Sequence, residues 1–237
     1  MEWLPESLGG LVALVITVPA VYSSIVRNLP RELEMTPIEE PEIPLDLFSQ
    51  MARYEDLGFE RLGAWRLQTP TGPTIVVYDR PGEATFGMVF AFRKMPGKVF
   101  YDFTTVLAPE PCVLTSGMHI GGGSLTLADP DFLQLFPEAP VEALYAAHLE
   151  GVAYLCGAGL ALRPPDADAF EEGLRDSIRR QREAFDSARA RNTLTTLWRV
   201  LSRSSPYRGP VRTQRGTLSK IEAALGHRTR DEVFLRE

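Results

Sequence analysis

The chain has 237 residues, 44% of them apolar and 24% charged, a balance that fits a folded domain and excludes an intrinsically disordered chain. Two cysteines exclude a disulfide-stapled secreted scaffold, and a net charge of −6 excludes a uniformly basic nucleic-acid binder. The charge is unevenly spread: from Arg175 onward 15 basic residues stand against 7 acidic ones, whereas before it 10 stand against 24.

The first element in chain order is Leu8–Val26, 19 residues without a charge. A helix that crosses a hydrocarbon core needs roughly 20 mostly apolar residues. The stretch therefore predicts an N-terminal transmembrane helix, with residues 1–29 as span and flanks and the lipid bilayer as its partner. A cleaved signal peptide would want a positive leader, and Glu2 and Glu6 stand there instead. A buried core helix would carry Gly9, Gly10 and Pro19 at a cost. Arg27 and Arg31 follow the stretch and no Lys or Arg precedes it. The positive-inside rule then expects a single-pass cell-membrane protein with its domain in the cytoplasm. Residues 30–44 alternate proline with glutamate and read as an extended linker.

Residues 45–203 read as one α+β domain. Leu47, Phe48, Met51, Tyr54 and Leu57 recur at helical spacing and predict a helix over 45–57, ended by Gly58. Phe59–Leu67, Thr74–Tyr78, Thr85–Phe92, Val99–Leu107 and Cys112–Met118 are strand-like runs separated by proline- and glycine-containing turns. They predict an antiparallel β-meander of about five strands packed against helices. Val141–Cys156 carries an apolar stripe that includes Tyr145 and His148. Beyond Pro164-Pro165-Asp166 the spacing of Phe170, Leu174, Ile178, Phe185 and Trp198 predicts one long C-terminal helix, interrupted in its stripe by Gln181 and Asn192. Residues 204–237 read as a basic tail.

Four residues are candidates for ligand binding. Asp102 interrupts the apolar run around it. Tyr145 and His148 share a helix face three residues apart. His119 precedes Gly121-Gly122-Gly123, whose backbone amides could form an anion nest; without a G-x-S-x-G elbow, a flexible turn is the better reading. Cys112, His119, His148 and Cys156 supply zinc-type ligands, but their spacing matches no usual finger or ribbon. No phosphate-binding loop or dinucleotide fingerprint occurs. No catalytic set, metal or cofactor is assigned.

The order of features, with Asp56-Leu-Gly-Phe59, Phe103-Thr-Thr105, Leu114-Thr-Ser116 and Leu144-Tyr-Ala-Ala-His148, resembles uncharacterised bacterial single-span membrane proteins over roughly residues 8–190. Where those proteins often show Asp-Gly before the Leu-Thr strand, this chain has Pro109-Glu-Pro-Cys112. The resemblance implies no activity. The expectation is a membrane-anchored, non-catalytic binding or interaction module, with anionic lipid or a protein as partner of the basic C-terminal region. The alternative is a hydrolase or transferase built near His119 or His148. Nucleic-acid contact through Arg179, Arg180, Arg182, Arg189 and Arg191 is less favoured, because few aromatics accompany them for stacking.

Overall fold

β-branched and aromatic runs become strands because their side chains pack well on a pleated surface. In the computed structural model, which describes residues 22–23, 30, 32–40, 43–80, 82–93, 95–108, 112–118, 131–163, 170–202 and 207–234, they build one eight-stranded sheet. The strands are β1 (Met35–Pro37), β2 (Glu60–Leu67), β3 (Pro73–Asp79), β4 (Thr85–Phe92), β5 (Val99–Ala108), β6 (Cys112–Ser116), β7 (Phe132–Leu135) and β8 (Ala161–Leu162). Strands β1 to β7 lie side by side in chain order, and β8 pairs with β5. All pairs are antiparallel except β6 with β7, which is parallel. Among the described residues five helices complete an α+β fold: α1 (Leu45–Asp56), α2 (Val141–Gly157), α3 (Phe170–Ser187), α4 (Arg189–Ser202) and α5 (Thr217–Phe234).

Three strands go beyond the expected meander. Met35–Pro37 lies in the proline- and glutamate-rich stretch, yet pairs with Leu67–Trp65 as the sheet's edge. Proline is tolerated there because an edge strand leaves one row of amides unpaired anyway. Strand β7 is four residues long and fully buried, and β8 is two residues long, so neither shows an alternation that reveals it.

The register sorts the side chains onto two faces. Ala64, Val76, Val89 and Tyr101 share the first face, as do Tyr78, Gly87, Phe103, Thr115 and Gln134. Helices α1 and α2 cover it. From α1 come Leu47, Met51 and Tyr54, all buried, whereas Phe48, expected inside, is 46% exposed. Tyr54 lies over Gly87, where a β-carbon would come within 2.4 Å of its ring. Its hydroxyl donates to the carbonyls of Met88 and Asp102. From α2 come Val141, Leu144, Tyr145, His148, Val152 and Leu155. Val211, Ile221 and Ala224, from the stretch read as a basic tail, join Leu107, Val113 and Leu155 in a further apolar cluster.

The predicted transmembrane helix is corrected. No helix among the described residues is long and apolar enough to cross a membrane, and the single-pass membrane description goes with it. Most of Leu8–Val26 lies outside the described residues. Its described part, Tyr22 and Ser23, is helical, and the Tyr22 ring stacks on Phe185 of α3 at 6.0 Å, a contact with protein.

The expected long C-terminal helix is two helices. The amide of Ala188 bonds the carbonyl of Phe185, so the ladder slips there. Asn192 Nδ2 donates to the carbonyls of Ala184 and Phe185, each at 3.1 Å. A straight helix would set residues 184 and 192 about 12 Å apart along its axis, so α3 and α4 are not collinear. The residue that interrupts the apolar stripe thus caps the break. Asn192→Ala leaves these carbonyls without that donor and is expected to cost about 1–2 kcal/mol. Chemical denaturation against Asn192→Asp, which also lacks the donating amide, checks that the loss follows the donor.

Candidate functional site

Helix α2 carries two of the candidates at i and i+3, so both face the sheet. Their surroundings nevertheless differ. His148 is 0% exposed and stands between strands β5 and β6. Its Nε2 is 2.8 Å from Thr105 Oγ1 and its Nδ1 is 2.9 Å from Thr115 Oγ1. Thr115 Oγ1 also accepts from Gln134 Nε2 at 2.8 Å, and Thr105 Oγ1 is 2.7 Å from Thr85 Oγ1. Gln134 is held from both ends, donating to the carbonyl of Ala147 and accepting from the amide of Val211. Gly151 makes room for it: a β-carbon there would lie 2.3 Å from Gln134 Nε2.

The hydrogen-bond chain selects a tautomer. With Gln134 donating to Thr115, the Thr115 hydroxyl is free to donate to Nδ1, and Nε2–H then donates to Thr105, which donates to Thr85. The spare hydroxyl hydrogen falls on Thr85, 3% exposed at the start of its strand, and not on the fully buried Thr115. Burial pulls the imidazole down to about 3, so His148 is neutral at ordinary pH. A neutral imidazole bonded at both nitrogens holds α2 on the sheet.

Tyr145 reaches the rim instead. Its hydroxyl accepts from Arg80 and donates to Glu83, and these two pair with each other at 3.2 Å. The Arg80 guanidinium lies 5.3 Å from the Tyr145 ring centre and 5.9 Å from that of Phe59. Burial, then the Glu83 hydrogen bond, pushes the phenol up to about 12.

Asp102 is on the opposite face, so the sheet separates it from His148. Its cross-strand neighbours are Met88 and Ser116. Burial pushes its carboxyl up to about 7, opposed by a hydrogen bond with Ser116. Its Oδ1 has no partner among the described residues. The sign of the resulting pH dependence follows. Unfolded, the group ionises near 3.8; folded, it keeps its proton to about 7. Its stabilising contribution is full at low pH and is lost as pH rises from about 4 to about 7, at most about 4 kcal/mol. His148 has the reverse sign, its contribution lost as pH falls from 6.5 toward 3. The two oppose each other in the acid range. The melting temperature of Asp102→Asn relative to the wild type is expected to climb between pH 4 and 7 and level off above. A pH series of thermal melts on both proteins checks this.

His119 and the three glycines after it lie outside the described residues. Cys112 and Cys156 are free thiols, and burial pushes both above the ordinary range, Cys112 with help from Asp131, which keeps them protonated. Among the described residues no group of His, Cys, Asp and Glu is placed to hold a metal ion.

Four arginines of α3 and α4 meet carboxylates of α3. Arg175 pairs with Glu171 at 2.8 Å, Arg179 with Asp176 at 2.9 Å, and Arg182 and Arg189 both with Asp186 at 2.9 and 3.0 Å. The basic stripe read from the sequence is therefore interleaved with its own counter-charges. On the outward side of α4, Arg191, Leu194 and Trp198 follow at i, i+3 and i+7, with Leu194 48% and Trp198 69% exposed. Thr105, Thr115, Gln134, Arg80 and Glu83 were not singled out from the sequence. The available signal was an inward-facing threonine or glutamine within an apolar strand, as in the run Phe132-Leu-Gln-Leu135. No protein-family profile, no curated protein sequence and no solved structure matches the chain.

Proposed function

We propose that the protein is a non-catalytic interaction module that lays the outward stripe of α4 into an apolar groove of a protein partner. The observation that carries this reading is the exposure of Leu194 and Trp198 on one helical face. Helices dock in grooves through anchors at i, i+3, i+4 and i+7, and tryptophan and arginine dominate interface hot spots. Arg191 at the head of the stripe, in a region of positive net charge, fits a groove rimmed by carboxylates. The burial of His148 and its separation from Asp102 support this reading over the hydrolase or transferase alternative. The pairing of the arginines supports a protein partner over a phosphate-rich one.

A photoreactive benzophenone at Leu194 of the full chain identifies the partner, which is then purified and titrated. Expected is saturable binding that Trp198→Ala weakens by about 2 kcal/mol, roughly 30-fold. Equal affinity of the two forms overturns the proposal. So does turnover of an ester or phosphoester by the wild type that a folded His148→Gln variant has lost.

A further inference from the structure

Apolar side chains grouped on the surface mark contact sites. Among the described residues, α1 and α4 are the helices that leave two large apolar side chains exposed: Leu45 and Phe48 on α1, Leu194 and Trp198 on α4. The helix itself places the pair on α1. Leu47, Met51 and Tyr54 turn inward, so Phe48 and Glu55, seven residues apart, lie together on one flank. That flank faces β2. Burial raises the Tyr78 phenol, Glu55 of α1 raises it further and Arg61 of β2 opposes, so both charges stand near its hydroxyl. Leu62, 37% exposed, follows Arg61 where the register of β2 on β3 shifts. Leu45 and Phe48 on α1 and Leu62 on β2 thus border one seam. Its rim is acidic: Glu39, Glu40 and Glu55 are exposed, and Arg61 is paired to Glu40 at 3.2 Å.

We infer that the partner of α4 is a second copy of this chain, and that the stripe of Arg191, Leu194 and Trp198 docks on the α1–β2 seam of that copy. This rests on the reading of α4 as the docking element and adds the identity of its partner. Three observations carry it. The charges match: α4 holds three arginines and no acidic residue, whereas carboxylates rim the seam. The same opposition runs through the whole chain, 15 basic residues against 7 acidic from Arg175 onward and 10 against 24 before it. Complementary potentials steer encounter and fix register. The shapes match too. Leu45 and Phe48 are three residues apart and Leu194 and Trp198 four, the spacings by which the ridges of one helix enter the grooves of another. Both surfaces are exposed within one chain, so they do not cover each other there. The contact joins unlike surfaces, so it runs head to tail from copy to copy.

The test is sedimentation of the purified full chain across a concentration series. Expected is reversible association that weakens as salt approaches 1 M, where screening acts within about 3 Å. An affinity indifferent to salt overturns the inference. Trp198→Ala removes the anchor and keeps the seam; Phe48→Ala removes the seam's ring and keeps the anchor. Each alone is expected to self-associate roughly 30-fold more weakly. An equal mixture of the two is expected to form one-to-one pairs at close to wild-type affinity, because one intact contact remains. A mixture that associates no better than either variant alone overturns the inference. A map on otherwise unaltered chains keeps the test open if a variant misfolds. A benzophenone at Thr195, in a mixture of nitrogen-14 and nitrogen-15 chains, is expected to give mixed-isotope cross-links to residues 39–62. Links only within one chain, or only to other segments, overturn it. If the chain stays monomeric to several hundred micromolar while α4 captures a different protein, the second copy is ruled out and the docking role of α4 stands. A monomer whose α4 captures nothing overturns both.

Discussion

Replacing His148 by Ala is expected to destabilise the protein by about 3–5 kcal/mol, the largest effect of any single substitution considered. Two costs add. The cavity left by a fully buried ring is not refilled, because the surrounding side chains relax only in part. The hydroxyls of Thr105 and Thr115 then lose their shared partner in a site closed to water, each at about 1–3 kcal/mol if left unsatisfied. Thermal unfolding reads this as a drop of roughly 10 °C for a chain of this size. His148→Asn, which still offers one donor and one acceptor, is expected to lose less. A catalytic imidazole would give the opposite pattern, a lost activity with the melt nearly unchanged.

Gly87→Ala is expected to cost about 3 kcal/mol although it adds one methyl group. Its β-carbon would lie 2.4 Å from Tyr54 Cε1 and 2.6 Å from Cδ1, inside van der Waals contact. Tyr54 cannot swing aside freely. Its ring stacks on Tyr78 at 4.8 Å and meets Phe59 and Phe103 at 5.7 and 5.3 Å. Overpacking of this kind costs about 1–3 kcal/mol, and a displaced ring also withdraws its hydroxyl from the carbonyls of Met88 and Asp102. Equilibrium unfolding of Gly87→Ala, with Tyr54→Phe as the measure of the hydroxyl alone, separates the two parts. If the variants cost the same, Tyr54 does not lie over Gly87.

The stripes of α1 and α2 and the long strands were legible because each repeats a period over several turns or pleats: Leu47, Met51 and Tyr54 on a helix, alternating residues on β5. What escaped the sequence was set by partners distant in the chain. Thr105 and Thr115 are ten residues apart, and only the register of β5 against β6 brings both hydroxyls to the ring of His148. That Asp102 faces away from His148 follows from the parity of β5 and the side on which α2 packs, neither of which a single run displays. The break at Ala188 has no proline or glycine to announce it. Its cause is Asn192, whose side chain caps the freed carbonyls. The expectation of a transmembrane helix failed for a related reason. An uncharged run of 19 residues satisfies both a bilayer and a protein core.

His148 is a sealed, neutral strut between Thr105 and Thr115. Long-range nitrogen–proton NMR of the imidazoles, followed across pH, tests this most directly. The prediction is that the ring of His148 keeps one tautomer, protonated on Nε2, from pH 8 down to about 4, because burial holds it down to about 3. Titration of that ring near the ordinary 6.5, or its ready acylation by diethyl pyrocarbonate in the folded protein, would contradict the account and return His148 to the candidates for catalysis.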